Sequence, residues 1–237
     1  MIDIIPFQSL GLARHGWLTA RHHFSFARYY DPQRVGYPPL LVWNDDEIQA
    51  GTGFGMHPHD NMEIITYVRE GAITHRDNMG NEGRTEAGDV QVMSAGTGVY
   101  HSEHNEESVQ TVLFQIWIHT AQRDVQPRWE AKSFPKKTDN MLIPLVSGRE
   151  IHAEFDVLKI YQDAAIFAGV IQAGHSYSHK IEPGRHVYMV PSEGELDLHG
   201  HQLTARDGAY IHNEDQVLIT AHTDTEIVLA DLPIMNP

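Results

Sequence analysis

Cysteine is absent from this sequence of 237 residues. Its absence excludes disulfide bonds, thiolate nucleophiles and cysteine-ligated zinc or iron–sulfur centres, and it leaves histidine and carboxylate side chains as the strong metal ligands. Basic residues are also scarce, with 17 Lys and Arg against 32 Asp and Glu, which gives a formal net charge of -15. That charge repels nucleic-acid phosphates and anionic membranes, and no local cluster of basic residues offsets it. We therefore expect no direct contact with nucleic acid or with a membrane.

Long apolar runs and sustained helical periodicity are missing as well. No apolar stretch reaches membrane-spanning length, and the first residues, MIDIIPFQSLGLARHGW, lack the basic and apolar regions of a secretion signal. These features predict a soluble cytoplasmic protein. Because no segment holds an amphipathic helical pattern for four turns with caps at both ends, any helices should be short.

Short segments rich in β-branched and aromatic residues dominate from residue 40 onward, separated by Gly, Pro, Asn or Asp. Examples are LLVWN, IITYV, TVLFQIWI, HVYMV and EIVLADL. This pattern is typical of an all-β sandwich or barrel. The length allows either one large β domain or two domains of about 110 residues each.

A repeated motif favours two domains. Two segments of the sequence resemble each other: VREGAITH...TEAGDVQVM in the first half and PSEGELDLHGHQLTARDGAYI in the second. Their alignment pairs Gly71 with Gly194 and Gly88 with Gly208. Each copy reads as a strand, a Glu-Gly turn, a hairpin, a second turn and a strand, so a β domain is predicted to be duplicated. The Pro-rich, charged segment PRWEAKSFPKKTDNM is the best linker candidate. We therefore predict domains at residues 1–130 and 131–237.

Two pairs of potential ligands stand out among the 17 histidines: His57 with His59, and His101 with Glu103. Side chains alternate between the two faces of a strand, so the members of each i, i+2 pair point the same way. They lie roughly 6.6 Å apart along the strand, close enough for both to reach one ion. Each pair adjoins a glycine-rich turn, and a hairpin-length stretch separates the pairs. One shared metal site is therefore predicted, with the ligands His57, His59, His101 and Glu103.

Other histidine pairs are weaker candidates. His199 and His201 flank Gly200 in what reads as a hairpin tip, where ligands would splay into water. His175 and His179 have helical spacing, yet GHSYSHKIEPG is loop-like in composition. In the second repeat, the offsets that lead from the turn glycines to the first-copy ligands reach Lys180, Glu182, Ala221 and Thr223. The second copy has therefore lost the ligand set, and one metal ion per chain is expected.

The aromatic residues of HHFSFARYYDP, Phe24, Phe26, Tyr29 and Tyr30, fit either a pocket lining or packing around a barrel. Packing is the commoner role of such clusters, so these residues are not assigned to a site.

These segments resemble the two motifs of the cupin superfamily, G(X)5HXH(X)3,4E(X)6G and G(X)5PXG(X)2H(X)3N. The first is matched, with one extra residue before its last glycine, by Gly51, His57, His59, Glu63 and Gly71. The second is matched less closely, since Ser94 replaces its proline and two extra residues precede its histidine; the matching residues are Gly88, Gly96, His101 and Asn105. More specifically, three segments are similar to signature segments of the pirin family: RHGWLTARHHFSFARYYDP, GFGMHPHDNMEIITYVREG and SAGTGVYHSEHN. The resemblance extends to the terminal VLADLP.

The resemblance implies a bicupin: two antiparallel β-barrel (double-stranded β-helix) domains with a few short helices, and metal in the N-terminal domain alone. It also implies that His57, His59, His101 and Glu103 are the ligands, and that Glu103 replaces the first-motif glutamate of ordinary cupins. That glutamate is Glu63 here. Four residues beyond His59 is roughly 13 Å along a straight strand, too far for coordination, so we expect Glu63 to hydrogen-bond in the core or behind the ligands.

Three imidazoles and one carboxylate satisfy a borderline divalent ion and leave one or two of six octahedral positions for water or substrate. Iron(II) is the favoured ion for this one site, and zinc, nickel, cobalt or manganese fit the same donors. No organic cofactor is predicted.

Bacterial pirins resemble flavonol dioxygenases in their site chemistry. The resemblance therefore implies an enzyme that combines flavonols such as quercetin with dioxygen, opens the heterocycle and releases carbon monoxide, with the metal as Lewis acid and template and Glu103 as general base. The alternative is a metal-binding interaction protein without physiological catalysis, as eukaryotic pirins are in transcriptional regulation, with a protein partner. A third possibility is a cupin oxygenase or hydrolase with another substrate, since fold does not determine the reaction.

Overall fold

The computed structural model describes residues 1–134 and 139–235. Within these ranges the chain is almost entirely strand, with two 3-10 helices, Phe7–Ser9 and Glu150–His152, and no α-helix, which confirms the predicted all-β class. Neither helix in this described part has the length or apolar character needed to cross a membrane. The strands are β1 (Ile2–Ile5), β2 (Gly11–Arg14), β3 (Leu18–His22), β4 (Leu40–Ile48), β5 (Thr52–His59), β6 (Met62–Glu70), β7 (Ala72–Asp77), β8 (Glu82–Glu86), β9 (Asp89–Ser94), β10 (Val99–Asn105), β11 (Thr111–His119), β12 (Arg128–Ser133), β13 (Ile143–Ser147), β14 (Leu158–Lys159), β15 (Ala165–Ile171), β16 (Ser176–Lys180), β17 (Arg185–Glu193), β18 (Glu195–Leu198), β19 (His201–Thr204), β20 (Gly208–Ile211), β21 (Gln216–Ala221) and β22 (Thr225–Pro233).

The chain divides into two compact units. The N-unit comprises Gly11–Phe134 and Leu158–Gln162, and the C-unit comprises Met1–Leu10, Pro135–Val157 and Asp163–Pro237. This division differs from the predicted boundary at residue 130 mainly at the N-terminus. The first strand belongs to the C-unit because β1 pairs with β20, with Ile2 opposite Ile211.

Part of the segment predicted as a linker is a strand. Arg128–Ser133 forms β12, which pairs with β9 along its whole length. Trp129 on this strand packs against Gly83, where a Cβ atom would lie only 2.1 Å from the indole ring. Residues 135–138 of the predicted linker lie outside the described residues.

Each unit contains two antiparallel sheets with an apolar core between them. The sheets of the N-unit have the orders β12-β9-β6-β11-β4-β3-β2 and β5-β10-β7-β8. In the C-unit, β1, β20, β17, β22, β15 and β13 lie side by side in this order, and the second sheet is β16-β21-β18-β19. Both cores take residues from both sheets, such as Val68 with Ile73 in the N-unit and Met189 with Leu196 in the C-unit. The predicted bicupin fold is confirmed.

The turn that indicated the duplication has the same structure in both units. Gly71 and Gly194 both have positive φ angles, 70° and 85°. A Cβ atom on either would collide with the threonine that opens the returning strand, Thr111 in β11 or Thr225 in β22. Glycine is required at both positions for the same two reasons, so the copies share their backbone as well as their strand order.

The strand register shows what replaces Glu103 in the C-unit. Four residues after the turn glycine, His75 lies opposite Glu103 in the N-unit, and Leu198 lies opposite Ile219 in the C-unit. Ile219 therefore occupies the position of Glu103. It is fully buried in the apolar core of its unit, where a ligand would have no role.

The histidine positions follow from the same register. Val217 lies two residues before Ile219 and therefore takes the position of His101. His179 lies opposite Val217 on β16, as His57 lies opposite His101 on β5, so His179 takes the position of His57. Of these three positions in the C-unit, only the one equivalent to His57 carries a histidine, and the sequence offsets gave other residues. β20 has four residues where β9 has six, so the equivalent positions are not Ala221 and Thr223.

His179 has a structural role instead. The loop expected around it is partly wrong, since Ser176–Lys180 forms β16, and His179 Nε2 lies 3.3 Å from Asp231 Oδ2. Arg185 Nε and Arg149 Nη1 donate to the same buried carboxylate at 2.5 Å and 3.1 Å. The other candidate pair does lie at a hairpin tip, where His199 has a φ angle of 52° between β18 and β19.

This cluster predicts a loss of stability in acid. Burial raises the pKa of Asp231, but the hydrogen bond from His179 and the charges of Arg185 and Arg149 outweigh it, so the pKa lies below its ordinary value. A carboxyl of this kind stabilises the fold above its unfolded pKa of about 3.9, and the stabilisation disappears as pH falls through the folded pKa. In urea unfolding, the gap in free energy between wild type and Asp231→Asn should therefore be widest at neutral pH and narrow below about pH 4. A gap that does not change with pH would contradict this.

Candidate metal centre and substrate cavity

The predicted ligands lie on two neighbouring strands of the four-stranded sheet in the N-unit. β5 ends with His57 and His59, and β10 carries His101 and Glu103. The strands are antiparallel, with His57 opposite His101 and His59 opposite Val99. Strand alternation turns the members of each pair to one face. A register shift between His101 and Glu103 marks a bulge, which re-aims side chains beside a site.

Three histidines form the compact part of the site. One ring nitrogen from each of His57, His59 and His101 lies within 4.8 Å of the others. The buried Nε2 atoms of His59 and His101 have no hydrogen-bond partner among the residues that the structure describes, a costly arrangement unless a ligand completes it. His57 Nδ1 lies 2.7 Å from the Gly55 carbonyl oxygen, so Nδ1 donates its proton there and Nε2 keeps its lone pair. The three rings therefore fit one divalent ion.

Burial also keeps two of these rings in the metal-binding protonation state. It is the main cause that lowers the pKa of His59 to about 4, and the neighbouring His57 lowers it further. Burial likewise lowers the pKa of His101, together with repulsion from the other histidines. A neutral imidazole is the form that binds a metal, so no proton has to be displaced from these rings near neutral pH.

Glu103 lines the same cavity but is anchored separately. Its Oε1 accepts hydrogen bonds from Gln91 Nε2 at 2.6 Å and Thr66 Oγ1 at 3.2 Å, and its Oε2 accepts one from Gln115 Nε2 at 2.7 Å. Burial raises the pKa of Glu103 to about 7, and these three bonds limit the rise. The carboxylate lies outside the group of nitrogens within 4.8 Å of one another. Because Oε2 has one donor and Oε1 has two, Oε2 is the atom left with a free lone pair.

Glu63 does not belong to the site. It lies on β6, because a turn with Asn61 at a φ angle of 44° separates it from the strand of His57 and His59. Its side chain is buried, and its Oε2 accepts a hydrogen bond from Ser94 Oγ at 2.6 Å. The predicted role in core hydrogen bonding is confirmed.

A histidine–carboxylate pair that the sequence analysis missed supports His101. His75 Nδ1 lies 3.4 Å from His101 Nδ1, and His75 Nε2 lies 3.1 Å from Asp77 Oδ2. Since the Asp77 carboxylate accepts, His75 carries its proton on Nε2, and its Nδ1 accepts from the Nδ1–H of His101. This chain leaves His101 Nε2 unprotonated, as a metal ligand must be. His75 and Asp77 have the same i, i+2 spacing on β7 as the ligand pairs, a signal that could have revealed them.

We expect His75→Phe to weaken metal binding by roughly 10- to 100-fold. Phenylalanine keeps the stacking on Trp129, whose ring lies 4.8 Å from that of His75 at an angle of 7°, but it cannot accept the proton of His101. The affinity is measured by titrating metal-free protein with nickel(II). His104→Phe is the control, because alternation turns His104 to the other face of β10 and its loss should not change the affinity. Wild-type affinity in His75→Phe would refute this role.

The histidines open into a cavity of about 400 Å³. Its walls carry four aromatic rings, Trp17, Phe26, Phe54 and Trp117. The Trp117 ring lies edge-on to His59 at 4.8 Å, so the aromatic wall begins at the histidine cluster. Phe26 thus lines a cavity, whereas Phe24 is buried in the core and Tyr30 is exposed. The volume and the aromatic lining suit a planar aromatic molecule.

A second carboxyl group, Asp46, lines this cavity. It is 2% exposed, and its Oδ1 has no hydrogen-bond partner in the described part of the chain. Burial raises the pKa of Asp46 well above its ordinary value, and the negative charges of Asp45 and Glu103 raise it further. Glu103 is therefore not the only carboxyl group that lines this cavity. Asp46 lies in the acidic run NDDE on β4, where nothing in the spacing separates it from its neighbours.

Comparisons with known proteins agree with this geometry. Residues 7–118 match the family model described as Pirin, and residues 147–232 match the one described as Quercetinase C-terminal cupin domain. A pirin-like protein of Caulobacter vibrioides is 50% identical over 232 residues, which cover 98% of this chain and 99% of that protein. A quercetin 2,3-dioxygenase of Escherichia coli K12 is 40% identical over 234 residues, with coverage of 98% and 99%. The crystal structure of the bacterial pirin YhhW from Escherichia coli in complex with nickel(II) is 38% identical, covers 99% of this chain and 100% of its own, and superposes with a TM-score of 0.93.

Proposed function

Because the chain belongs to the pirin family, we propose that it is a metal-dependent dioxygenase that acts on flavonols such as quercetin. The observation that carries this proposal is the histidine cluster at the end of an aromatic cavity. A similar chain along its whole length bears the name quercetin 2,3-dioxygenase. Dioxygen is the second substrate: both of its atoms enter the products, and one ring carbon leaves as carbon monoxide.

We propose His57, His59, His101 and Glu103 as the ligands of one divalent ion. The unpartnered Nε2 atoms and the free lone pair of Glu103 Oε2 support this set. Iron(II) remains our expectation for the native metal, and the nickel complex of the related pirin shows that the family also accepts nickel. When bound, the metal supplies a Lewis acid and a template for the reactants.

The cavity supports a flavonol as the substrate. A flavonol is a planar, hydroxylated ring system, and the cavity combines aromatic walls with polar groups of Asn44, Asp46 and Gln115. The 3-hydroxyl group must lose its proton to give the electron-rich form that reacts with dioxygen. Glu103 is the proton acceptor that we propose, and Asp46 is positioned to bind another hydroxyl group of the substrate through its unpartnered Oδ1.

Incubation of metal-loaded protein with quercetin tests the proposal. The absorbance band of the flavonol should disappear in air and persist without oxygen, and carbon monoxide should be released. Protein loaded separately with iron, nickel, cobalt, manganese or zinc covers the choice of metal. Absence of turnover with all five would refute the dioxygenase and favour a metal-binding interaction protein. Turnover without oxygen would instead indicate a hydrolase.

A further inference from the structure

A second chamber adjoins the cavity of the metal centre. Its volume is about 740 Å³, larger than the 400 Å³ beside the histidines. Six residues line both spaces: Trp17, Leu18, Ala20, His22, Phe26 and Phe54. The two spaces therefore share an apolar and aromatic wall.

The ionisable groups of this chamber differ from those of the rest of the protein. They are Arg14, His15, His22, Arg28 and Tyr29, and no carboxylate lines the chamber. In a chain with 32 acidic and 17 basic residues, a cavity lined by two arginines and no acid is unexpected by composition. Such a local positive field attracts anions although the net charge of the chain is negative.

Two separate elements bring the arginines to this chamber. Arg14 ends β2, beside the hairpin that leads to β3. Arg28 lies at the tip of a tight turn, closed by hydrogen bonds of 3.0 Å from Phe26 N to Tyr29 O and 2.9 Å from Tyr29 N to Phe26 O. The Tyr29 ring packs over Gly11, where a Cβ atom would lie 2.5 Å from the ring. The turn is thus held against β2, and both arginines line one space.

Neither arginine is neutralised by a neighbour. Among the described residues, no carboxylate forms an ion pair with Arg14 or Arg28, whereas Arg34, Arg76 and Arg84 each pair with at least one. A guanidinium group without a protein partner keeps its donors available, and its planar fork suits an oxyanion.

We propose that this chamber binds an anionic substituent of the substrate, so that the preferred substrate is an aromatic molecule carrying a sulfate or carboxylate group at the end remote from the metal. The proposal rests on the proposed function for its aromatic part. The aromatic body would lie along the shared wall between Trp17 and Phe26, and its oxyanion would accept hydrogen bonds from Arg14 and Arg28.

Binding without turnover tests this inference. Nickel-loaded protein is titrated without oxygen with quercetin sulfated at its 3′ or 7 position, and with the neutral methyl ether at the same position. Both kinds of derivative keep the 3-hydroxyl group free. At least one sulfate should bind about 10-fold or more tightly than its methyl ether, and this advantage should shrink as salt is raised. The double variant Arg14→Gln/Arg28→Gln should lose the advantage and keep the affinity for the methyl ether. Arg84→Gln, an exposed arginine on β8, is the control and should change neither affinity.

Each outcome decides between the two proposals. If the sulfates bind no better than the methyl ethers, or if the double variant keeps their advantage, the chamber does not recognise anions, while quercetin turnover by the wild type leaves the dioxygenase intact. If the sulfates bind tightly through the arginines but no flavonol is consumed, anion binding by the chamber is supported and the proposed dioxygenase function is refuted. If no derivative binds and no flavonol is consumed, both proposals are overturned.

Discussion

Replacement of His59 by alanine should reduce metal affinity by at least about 100-fold and leave the purified protein nearly free of metal. Apparent binding free energies of four-ligand metal sites are about 10–16 kcal/mol, so one ligand accounts for roughly 3 kcal/mol, or more than 100-fold. The buried Nε2 of His59 has no other partner among the described residues, so no alternative contact compensates for its loss. Elemental analysis of wild type should give one metal ion per chain, and the variant should give a small fraction of that.

The matched control is His179→Ala, which removes the histidine at the position equivalent to His57 in the C-unit. His179 is buried beside Asp231. The residues at the positions equivalent to His101 and Glu103 are the apolar Val217 and Ile219. This variant should lose stability but keep its metal. Two metal ions per wild-type chain, or loss of metal only in His179→Ala, would refute the assignment to the N-unit.

The convergence of His57, His59 and His101 could be predicted from the sequence because the geometry within each i, i+2 pair is local. In an i, i+2 pair such as His57 with His59, strand alternation alone places both side chains on one face. The turn around Gly71 was equally readable, because one residue type satisfies both its φ angle and its close contact with β11. Where a single strand or turn determines the geometry, the sequence was sufficient to predict it.

The rest of the site depends on register and on contacts between distant strands. Asp46 lines the cavity because β4 lies between β3 and β11, which no local pattern reveals. The chamber of Arg14 and Arg28 needs a turn folded against β2 through Tyr29 and Gly11. The pairing of β1 with β20 likewise joins residues more than 200 positions apart. Such long-range pairings escape a reading based on periodicity and turn residues.

The hydrogen bonds around Glu103 require a carboxylate rather than an amide. Gln115 Oε1 accepts from Trp117 Nε1 at 3.1 Å, and Gln91 Oε1 accepts from Thr85 Oγ1 at 2.9 Å. Both glutamines therefore present their NH2 groups to Glu103, which has acceptors on both oxygens only when it is ionised. A metal ion favours the same ionised form, because its positive charge lowers the pKa of a carboxyl ligand.

Glu103→Gln should therefore lower oxygen-dependent flavonol consumption by about 100-fold or more, because the variant lacks the base that accepts the 3-hydroxyl proton. Metal content and melting temperature are measured in parallel, since the new amide forces Gln91 or Gln115 to turn. Asp46→Asn is the comparison: it keeps a polar group at the cavity wall, and we expect it to raise KM with a change in kcat of less than about 10-fold. Unchanged turnover in Glu103→Gln with full metal content would refute the role of Glu103, and a 100-fold loss confined to Asp46→Asn would assign the proton transfer to Asp46.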